Sequence, residues 1–438
     1  MDNKNNKDFR EVNEGFTTLE AIKEAQRCLN CKKPLCREGC PIENDIAGFN
    51  HQLSMGNMGE AMRIINERSN LPAICGRVCP HEKQCQGHCI LNKKGKGIQI
   101  GKLERFIADF DSEMKLFRDK IPQKTRGKVA VIGSGPSGLT VAGDLAREGF
   151  SVTIFESQHE PGGVLMYGIP EYRLPKAVVR KEIEKIAALG VVFITDFTVG
   201  EDITVDTMFE KGFDAIFIGT GTVIPKALSI PGHYLAGIIQ STYLLHMANC
   251  YNEGSVSREE VPLVQGERVG VIGCGNVAMD AARTAVRMGA REVCVVYRRT
   301  EADMPANRAE YEEALSEGVK FFWQHTPVEF VGNDGELSGL KVTTPEGGKE
   351  LPFDRICLAL GSHPANRIVS TTTGIDVDDA GYVIVRDSPY GMTTRRGVFA
   401  GGDVVLRPQT VVLAMKDAKK VAVGISQYVD AVKLLESC

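Results

Sequence analysis

Two stretches of this chain repeat one pattern: an apolar strand, a glycine-rich turn, a helix and a second strand. In the first copy the strand at 129–132 leads through the turn at 133–138 to a strand at 152–156. In the second copy the strand at 269–272 leads through the turn at 273–278 to a strand at 292–297. Such strand–turn–helix units begin nucleotide-binding halves of doubly wound sheets. The repeat predicts an α/β fold with two Rossmann-like domains.

The first turn reads Gly-x-Gly-x-x-Gly and meets the conditions for a dinucleotide site. Its first glycine permits a tight turn, the second lets backbone approach a pyrophosphate, and the third allows helix and strand to pack closely. The helix start offers N–H groups to the pyrophosphate. Glu156, at the end of the next strand, is placed to accept both ribose hydroxyls of an adenosine, as in FAD. The predicted contacts in the turn are Gly133, Gly135, Pro136, Ser137 and Gly138.

The second turn reads Gly273-x-Gly275-x-x-Ala278, and alanine is tolerated at the third position. Where the first copy has an acid, this copy has Arg298 and Arg299. Guanidinium groups bind phosphate bidentately, whereas a carboxylate would repel a 2′-phosphate. This difference predicts NADPH in preference to NADH, and a solvated basic turn is the alternative interpretation.

The segment 397–403 fits a return of the chain to the FAD domain. A strand that ends in Gly402-Asp403 can place a carboxylate at the ribityl chain, and the helix predicted at 410–423 can point its N-terminus at the isoalloxazine. We therefore predict an FAD-binding domain at 121–260 and 362–438, interrupted by an NADPH-binding domain at 261–361. Residues 1–120 have helical apolar spacing, at 18–30, 46–51, 58–67 and 100–116, and predict an all-helical domain.

Eight of the thirteen cysteines lie within this helical domain. They form the rows Cys28-x2-Cys31-x4-Cys36-x3-Cys40 and Cys75-x3-Cys79-x5-Cys85-x3-Cys89, with proline after Cys40 and Cys79. Structural zinc favours paired C-x2-C spacing, whereas proline-closed rows are typical of ferredoxin clusters. The rows predict iron–sulfur ligation, with zinc as the alternative. The scattered cysteines are predicted to be small buried apolar residues: Cys250, Cys274, Cys294, Cys357 and Cys438.

The composition of the chain argues against nucleic-acid-binding and membrane-spanning proteins. The chain has 438 residues, 43% hydrophobic content and a net charge of −4, which is ordinary for globular α/β proteins and argues against general nucleic-acid binding. Its first residues are polar, and no apolar run reaches the roughly 20 residues of a membrane span. We therefore expect a cytoplasmic protein with no membrane or nucleic-acid partner, in a compartment where disulfides are rare.

Several motifs together resemble one family. They lie at 28–41, 71–80, 100–106, 161–163, 167–176 and 273–280, and they cover nearly the whole chain. The chain resembles the small (β) subunit of NADPH-dependent glutamate synthase. It is also similar to the N-terminal half of dihydropyrimidine dehydrogenase and to the large subunit of NADH-dependent ferredoxin:NADP oxidoreductase. The motifs are specific for the family and much less so for the member.

The resemblance implies two [4Fe–4S] clusters with crossed ligation. Cluster one would take Cys28, Cys31, Cys36 and Cys89. Cluster two would take Cys40, Cys79, Cys85 and the carboxylate of Glu104, which leaves Cys75 spare. Ligation by all eight cysteines remains the alternative. The resemblance also implies FAD contacts at Glu156, Gly163, Arg173, Gly402 and Asp403, and NADPH contacts at Gly275, Asn276, Val277, Arg298, Arg299, Arg308, Ala359 and Gly361.

The resemblance further implies an electron-input subunit for glutamate biosynthesis. A hydride would pass from NADPH to FAD without a protein nucleophile, and single electrons would leave through the clusters. The acceptor would be a larger partner subunit carrying FMN or iron–sulfur centres, in a hetero-oligomer. Alternatives are a subunit of a bifurcating ferredoxin:NADP oxidoreductase, a dihydropyrimidine dehydrogenase subunit and a sulfide or polysulfide reductase. From another class, a zinc-stabilised, non-catalytic scaffold remains open.

Overall fold

The computed structural model describes residues 8–437. The helices are α1 (Thr18–Gln26), α2 (Leu35–Glu38), α3 (Ile46–Ser54), α4 (Met58–Asn66), α5 (Pro72–Val78), α6 (Ile100–Met114), α7 (Pro136–Arg147), α8 (Val164–Tyr167), α9 (Lys176–Ala187), α10 (Val205–Glu210), α11 (Ser241–Asn252), α12 (Asn276–Arg287), α13 (Arg308–Ser316), α14 (Arg367–Ser370), α15 (Asp403–Leu406) and α16 (Val411–Glu436). The strands are β1 (Gly127–Ile132), β2 (Phe150–Phe155), β3 (Val192–Ile194), β4 (Ala215–Ile218), β5 (Ile224–Pro225), β6 (Ile238–Gln240), β7 (Arg268–Ile272), β8 (Glu292–Tyr297), β9 (Lys320–Trp323), β10 (Thr326–Asn333), β11 (Glu336–Thr344), β12 (Gly347–Pro352), β13 (Arg355–Leu358), β14 (Ser362–His363), β15 (Val385–Asp387), β16 (Tyr390–Thr393) and β17 (Val398–Ala400).

The N-terminal region is helical, as predicted. Helix α1 begins with a capping box in which Thr17 and Glu20 satisfy each other's backbone N–H groups. The apolar stripe of α6 is buried at Leu103 and Ile107, and the stripes of α1, α3 and α4 pack into the same core. Helices α5 and α6 approach closely at Gly76, where a Cβ would lie 2.6 Å from the backbone nitrogen of Arg105. Glycine at this position therefore permits the contact that brings α5, with its cysteines, against α6.

The first glycine-rich turn belongs to a compact unit made of residues 12–166, 173–224 and 363–437. Its sheet has the strand order β15-β16-β17-β4-β1-β2-β3, and the pairs from β17 to β3 are parallel. Strand β17, from the end of the chain, lies next to β4 inside this sheet. Helix α16 extends to Glu436, beyond the predicted end at 423, because its buried face continues through Ile425 and Val429.

The second turn belongs to another compact unit, made of residues 8–11, 167–172 and 225–362. Its parallel sheet has the order β6-β13-β7-β8-β9, and β10–β12 form an antiparallel sheet. Residues 225–260, assigned from sequence to the FAD-binding domain, lie in this unit, where β6 pairs with β13. The domain boundaries drawn from sequence stay predictions.

The segment 167–172 is held to this unit by specific contacts. The Tyr172 ring lies against the guanidinium groups of Arg283 and Arg287, whose carbons are 4.7 and 3.8 Å from the ring centroid. Asn249 donates hydrogen bonds to the carbonyls of Tyr167 and Ile169. These contacts explain why six residues from the middle of the chain join the second sheet's unit.

The predicted fold class is confirmed. Helices α7 and α12 begin at Pro136 and Asn276, inside the turns predicted at 133–138 and 273–278, because the glycine turns lead directly into the first helical turn. In the part of the chain that the structure describes, no helix is long and apolar enough to cross a membrane. Cys274, Cys294 and Cys357 are buried as predicted, Cys250 is half-buried, and Cys438 lies outside the described residues.

Candidate cofactor-binding sites

The first glycine turn forms a cradle between β1 and α7. Gly133 has φ of +93°, and a Cβ on it would lie 2.8 Å from the carbonyl oxygen of Gly219. A Cβ on Gly138 would lie 2.0 Å from the carbonyl oxygen of Gly133, so only glycine allows this approach of helix to turn. At Gly135, the N-cap of α7, a Cβ would meet no described atom within 4 Å. The open space therefore lies where the helix N-terminus would receive a pyrophosphate.

Glu156 follows β2 and is buried beside this cradle. Its Oε2 accepts hydrogen bonds from the backbone nitrogen and the hydroxyl of Ser134, at 2.9 and 2.5 Å. Its Oε1 accepts from the backbone nitrogen of Gln158, at 2.9 Å. The hydroxyl of Ser157 also donates to Oε1, at 3.3 Å, so four donors hold the carboxylate. Sequence reasoning missed Ser134, which occupies a variable position of the motif.

The glycine pair after this site completes the cradle. Ser134 Oγ also accepts a hydrogen bond from the backbone nitrogen of Gly162, at 2.8 Å. A Cβ on Gly163 would lie 3.1 Å from the Cα of Gly135, which brings the two turns into contact. Ser137, at the start of α7, is buried, and Arg173 is half-buried.

The segment that follows β17 reaches the same cradle. Gly402 has φ of +73°, and a Cβ on it would lie 2.9 Å from Ser137 Oγ. Its backbone nitrogen donates to Asp417 Oδ2, at 2.7 Å, while Tyr390 donates to Asp417 Oδ1. Burial raises the pKa of Asp403 to about 6, partly offset by a hydrogen bond from the backbone nitrogen of Gln409. Gly402 and the first turn are therefore brought together as predicted for one site.

The second glycine turn repeats the backbone geometry of the first. Gly273 has φ of +120°, and a Cβ on it would lie 2.4 Å from the carbonyl oxygen of Ala359. Gly275 is the N-cap of α12, and a Cβ on it would meet no described atom within 4 Å. Ala278 is buried against this turn. Gly361, also with positive φ, accepts a hydrogen bond from the backbone nitrogen of Lys226.

The arginines around the second turn differ in whether they already form ion pairs within the protein. Arg298 and Arg299 are exposed just beyond β8 and form no ion pair with any residue from 8 to 437. Arg308 is instead paired with Glu301 and Glu312, at 2.7 and 2.9 Å. At the start of α12, Asn276 Oδ1 accepts a hydrogen bond from the backbone nitrogen of Asn307, and Val277 is exposed. Two of the three predicted arginines thus form no ion pair that a phosphate would have to displace, although the charge of Arg299 contributes to a lowered pKa of Asp303, which the hydrogen bonds from Thr300 dominate.

In the helical region, four cysteines line one cavity of about 210 Å³. They are Cys28, Cys31, Cys36 and Cys89. Burial, with smaller contributions from the charges of Cys28 and Cys89, raises the pKa of Cys36 to about 12. A cationic centre is the group that would hold such thiols ionised. Both rows contribute to this cavity, as the crossed arrangement requires.

Asn50 is the buried polar side chain of this cavity. It lies in α3, has no exposed surface, and neither of its amide atoms has a hydrogen-bond partner of normal geometry among the described residues. Burial raises the pKa of the Cys28 thiol. A weaker interaction with the side chain of Asn50 partly opposes this rise. An unpartnered buried amide costs about 1–3 kcal/mol. The cavity therefore offers a donor suited to the sulfur atoms of a bound cluster.

A second group of thiols surrounds Glu104. Burial raises the pKa of Cys40 to about 11 and that of Cys85 well above its usual range, and the charge of Glu104 contributes to both. A hydrogen bond with Cys75, together with burial and the charge of Glu104, raises the pKa of Cys79. The predicted second set, Cys40, Cys79, Cys85 and Glu104, is thus one neighbourhood, which also contains Cys75.

Glu104 is buried in α6 without compensation. Its carboxyl group forms no hydrogen bond or ion pair with residues 8–437. Burial, with a smaller contribution from Glu182, raises the pKa of Glu104 to about 8. A carboxyl group in this position must be protonated or must bind a cation.

Cys75 differs from its neighbours in its contacts. Its thiol is buried and lies 3.6 Å from the sulfur of Met415 in α16. Cys75 is therefore engaged on the side of the C-terminal helix, which agrees with a non-ligating thiol. The contact leaves the eight-cysteine alternative untested.

The two groups of cysteines fit an iron–sulfur cluster better than a single metal ion. Among residues 8–437, no three His, Cys, Asp or Glu side chains are arranged to hold one metal ion. In a four-iron cluster each ligand binds a different iron, so the ligands stand farther apart than around one ion. Four thiols around an open cavity, and a buried carboxyl group among three thiols, fit the two predicted clusters.

Comparison with known proteins agrees with both halves of the chain. Residues 5–116 match the family described as dihydropyrimidine dehydrogenase domain II, 4Fe-4S cluster. Residues 127–418 match the pyridine nucleotide-disulphide oxidoreductase family. A search of solved structures gives FprA of Mycobacterium tuberculosis in complex with NADPH, at a TM-score of 0.61 and 18% identity, covering 71% of this chain and 86% of that one. At this identity the likeness shows the fold alone.

Curated relatives match almost from end to end. The glutamate synthase [NADPH] small chain of Halomonas elongata is 34% identical over 97% of this chain and 94% of its own length. The NAD-dependent dihydropyrimidine dehydrogenase subunit PreT of Salmonella typhimurium is 33% identical over 96% of this chain and 97% of its own. With its 4Fe–4S domain and its FAD- and NADPH-type oxidoreductase domain, the chain belongs to the family of the glutamate synthase small chain.

Proposed function

We propose that this chain takes a hydride from NADPH onto FAD and passes the electrons singly, through two [4Fe–4S] clusters, to a larger partner subunit. FAD supplies the conversion of a two-electron donor into one-electron steps. The observation that best supports this is the four-cysteine cavity, because an electron-carrying centre in a chain that also has two nucleotide cradles has a use in such a path. The protein provides binding and position, and no protein nucleophile is required.

For the clusters, the proposed ligands are those of the crossed arrangement. Cys28, Cys31, Cys36 and Cys89 would hold the first. Cys40, Cys79, Cys85 and Glu104 would hold the second. The cavity supports the first set, and the uncompensated burial of Glu104 supports the second.

For FAD, Glu156 would hold the ribose hydroxyls, with its orientation set by Ser134 and Gln158. The backbone at Gly135 and Gly163 would border the pyrophosphate, and Asp403 would lie at the ribityl chain. For NADPH, the exposed guanidinium groups of Arg298 and Arg299 would bind the 2′-phosphate. Arg308 would contribute less than these two, because Glu301 and Glu312 already pair with it.

The proposal is tested by adding NADPH under anaerobic conditions to the purified holoprotein. We expect the flavin absorbance to bleach and EPR signals of reduced clusters to appear, with about eight iron atoms per chain. A protein that contains zinc and no flavin would overturn the proposal in favour of a scaffold.

The ligand sets are tested by a matched pair of cysteine variants. Cys36→Ala should reduce the iron content by about half and remove one EPR signal, because it deletes a ligand of the first cluster. Cys75→Ala, a substitution of the same size at a buried thiol, should leave the iron content unchanged. Loss of iron from Cys75→Ala, with full iron in Glu104→Ala, would show ligation by eight cysteines instead.

A second candidate differs only in the acceptor. The similarity to the PreT subunit favours a subunit of a dihydropyrimidine dehydrogenase. That relative is NAD-dependent. Arg298 and Arg299 favour NADPH and hence the glutamate synthase type. Co-purification with the partner from the native host separates the two, because one partner reduces a pyrimidine and the other forms glutamate.

A further inference from the structure

The cavity of Cys28, Cys31, Cys36 and Cys89 opens among exposed apolar side chains. Leu29, Leu35 and Ile90 line it and keep 61%, 40% and 42% of their surface exposed. Each is adjacent in sequence to one of the four cysteines. A single exposed leucine is common on protein surfaces, but three around one opening form a local apolar rim.

Basic residues surround this rim. Residues 25–37 and 83–103 contain nine lysines and arginines and no acidic residue, although the whole chain carries a net charge of −4. The two stretches are joined where Arg27 donates a hydrogen bond to the carbonyl of Lys96, at 2.6 Å. Besides Lys83, five lysines of these stretches are exposed: Lys32, Lys33, Lys93, Lys94 and Lys96. None of these five forms an ion pair with residues in the described part of the chain.

Four of these five lysines are poorly placed to serve the cavity itself, because they do not line it. Lys33 lines it, but the others stand exposed on the segments around it. Exposed ammonium groups are screened by water and contribute little to a site they do not touch. A concentration of unpaired positive charge on an acidic chain is better explained by a partner that brings the negative charge.

We propose that this rim and its five lysines are the docking surface for a protein electron acceptor whose redox centre is bordered by carboxylates. The lysines would steer and orient the acceptor, and Leu29, Leu35 and Ile90 would be covered in the complex. This rests on the proposed function, because it assigns the exit of the same electron path. It also makes the first cluster the one from which electrons leave.

The test uses the holoprotein and two small haem proteins of opposite charge. Cytochrome b5 is acidic and cytochrome c is basic, and each accepts one electron. At low ionic strength, Lys32→Glu/Lys94→Glu should slow the reduction of cytochrome b5 by NADPH about ten-fold or more and should not slow that of cytochrome c. The difference should disappear at high salt, because screening removes the steering.

The control has the same change of charge elsewhere in the helical region. Lys115 and Lys120 are exposed, follow α6 and do not line the cavity. Lys115→Glu/Lys120→Glu should reduce cytochrome b5 within about two-fold of the wild type. Equal losses in the two double variants, or none in either, would overturn the proposal. Leu35→Gln/Ile90→Gln should lower the rate at every salt concentration, because its contribution is apolar.

Iron content and the EPR signals formed by NADPH separate this proposal from the proposed function. If the wild type gives no reduced-cluster signal, the proposed function fails. If all variants give the signal and differ only with cytochrome b5, the docking surface is supported. Binding of vesicles rich in phosphatidylserine, of a short oligonucleotide or of a second copy of the chain that depends on Lys32 and Lys94, with unaltered cytochrome b5 rates, would assign the surface to another occupant.

Discussion

The two glycine turns have nearly the same backbone and differ in the residues that give each its nucleotide. Gly133 and Gly273 both have positive φ, and both bring a turn against the carbonyl of the residue that directly follows a neighbouring strand. Gly135 and Gly275 both leave open space at a helix N-terminus. The glycine motif therefore predicts only a phosphate-binding cradle. Which nucleotide binds there must be decided by the residues that follow the second strand of each copy.

The residues after the second strand differ between the two copies in their burial and in their hydrogen bonding before any nucleotide binds. Glu156 is buried and accepts hydrogen bonds from four donors, whereas Arg298 and Arg299 are exposed and form no ion pair with the described residues. A cofactor that stays bound suits a fixed carboxylate, because little ordering remains to oppose binding. A coenzyme that must leave after each turnover suits side chains that are ordered only on contact.

The largest expected effect is at the fixed acid. Glu156→Ala should weaken FAD binding about a hundred-fold or more, because two hydrogen bonds from the ribose to a charged acceptor are lost. The fraction of flavin retained after gel filtration measures it. Glu160→Ala, which removes a nearby carboxylate paired with Arg180 outside the cradle, is the control and should retain FAD. Full retention by Glu156→Ala would remove the basis for calling the first turn the FAD site.

Next is the arginine pair. Arg298→Ser/Arg299→Ser should lower kcat/KM for NADPH about ten- to a hundred-fold and leave kcat/KM for NADH nearly unchanged, since only the phosphate contact is lost. Arg308→Ser, whose guanidinium is already paired, should change the ratio by less than about three-fold. An unchanged ratio in the double variant would contradict the assignment of the phosphate site.

A smaller effect is expected from exchanging the third residues of the two motifs. Gly138→Ala should destabilise the protein by about 1–3 kcal/mol, because its Cβ would lie 2.0 Å from a carbonyl oxygen. Ala278→Gly should cost only about 0.5–1 kcal/mol, the usual cost of glycine in a helix. Urea denaturation of both variants measures this. Equal losses would show that the two turns pack alike.

The smallest effect is at Ser134. Ser134→Ala removes one donor to Glu156 and the acceptor for Gly162, and should cost about 1 kcal/mol or somewhat more in FAD binding, about five- to ten-fold in Kd. Ser157→Ala, which removes only a longer hydrogen bond to Glu156, at 3.3 Å, provides a comparison of the same size and should cost less. A loss as large as that of Glu156→Ala would mean that Ser134 holds the cofactor directly.

The helices and strands could be predicted from local sequence patterns, whereas the contacts between distant segments could not. The spacing of glycines and apolar residues predicted β1, β8 and the turns, and the predicted span of β8 agrees with the observed Glu292–Tyr297. Ser134 could not be recognised, because its value depends on a carboxylate 22 residues away. The isolation of Asn50 and the pairing of Arg308 likewise depend on which side chains lie nearby after folding.

The cysteine rows show the same division. Their spacing and prolines indicated clusters, but the grouping came only from the family resemblance, because eight thiols can be divided in many ways. The cavity brings together Cys89 and the three cysteines at 28–36, although more than fifty residues separate them. Gly76 is another example: its need for a hydrogen side chain comes from the backbone of Arg105 on another helix.

The position of β17 inside the sheet has a consequence for how the protein is made. Ile218 at the end of β4 and Val398 at the start of β17 are 180 residues apart, and the two strands pair. At about 5–20 residues per second, a ribosome needs roughly ten seconds or more to supply the missing strand. Until then β4 presents an open edge, which is a hazard for misassociation. The cradle of the first turn, which includes Gly402, is completed only after β17 has been made.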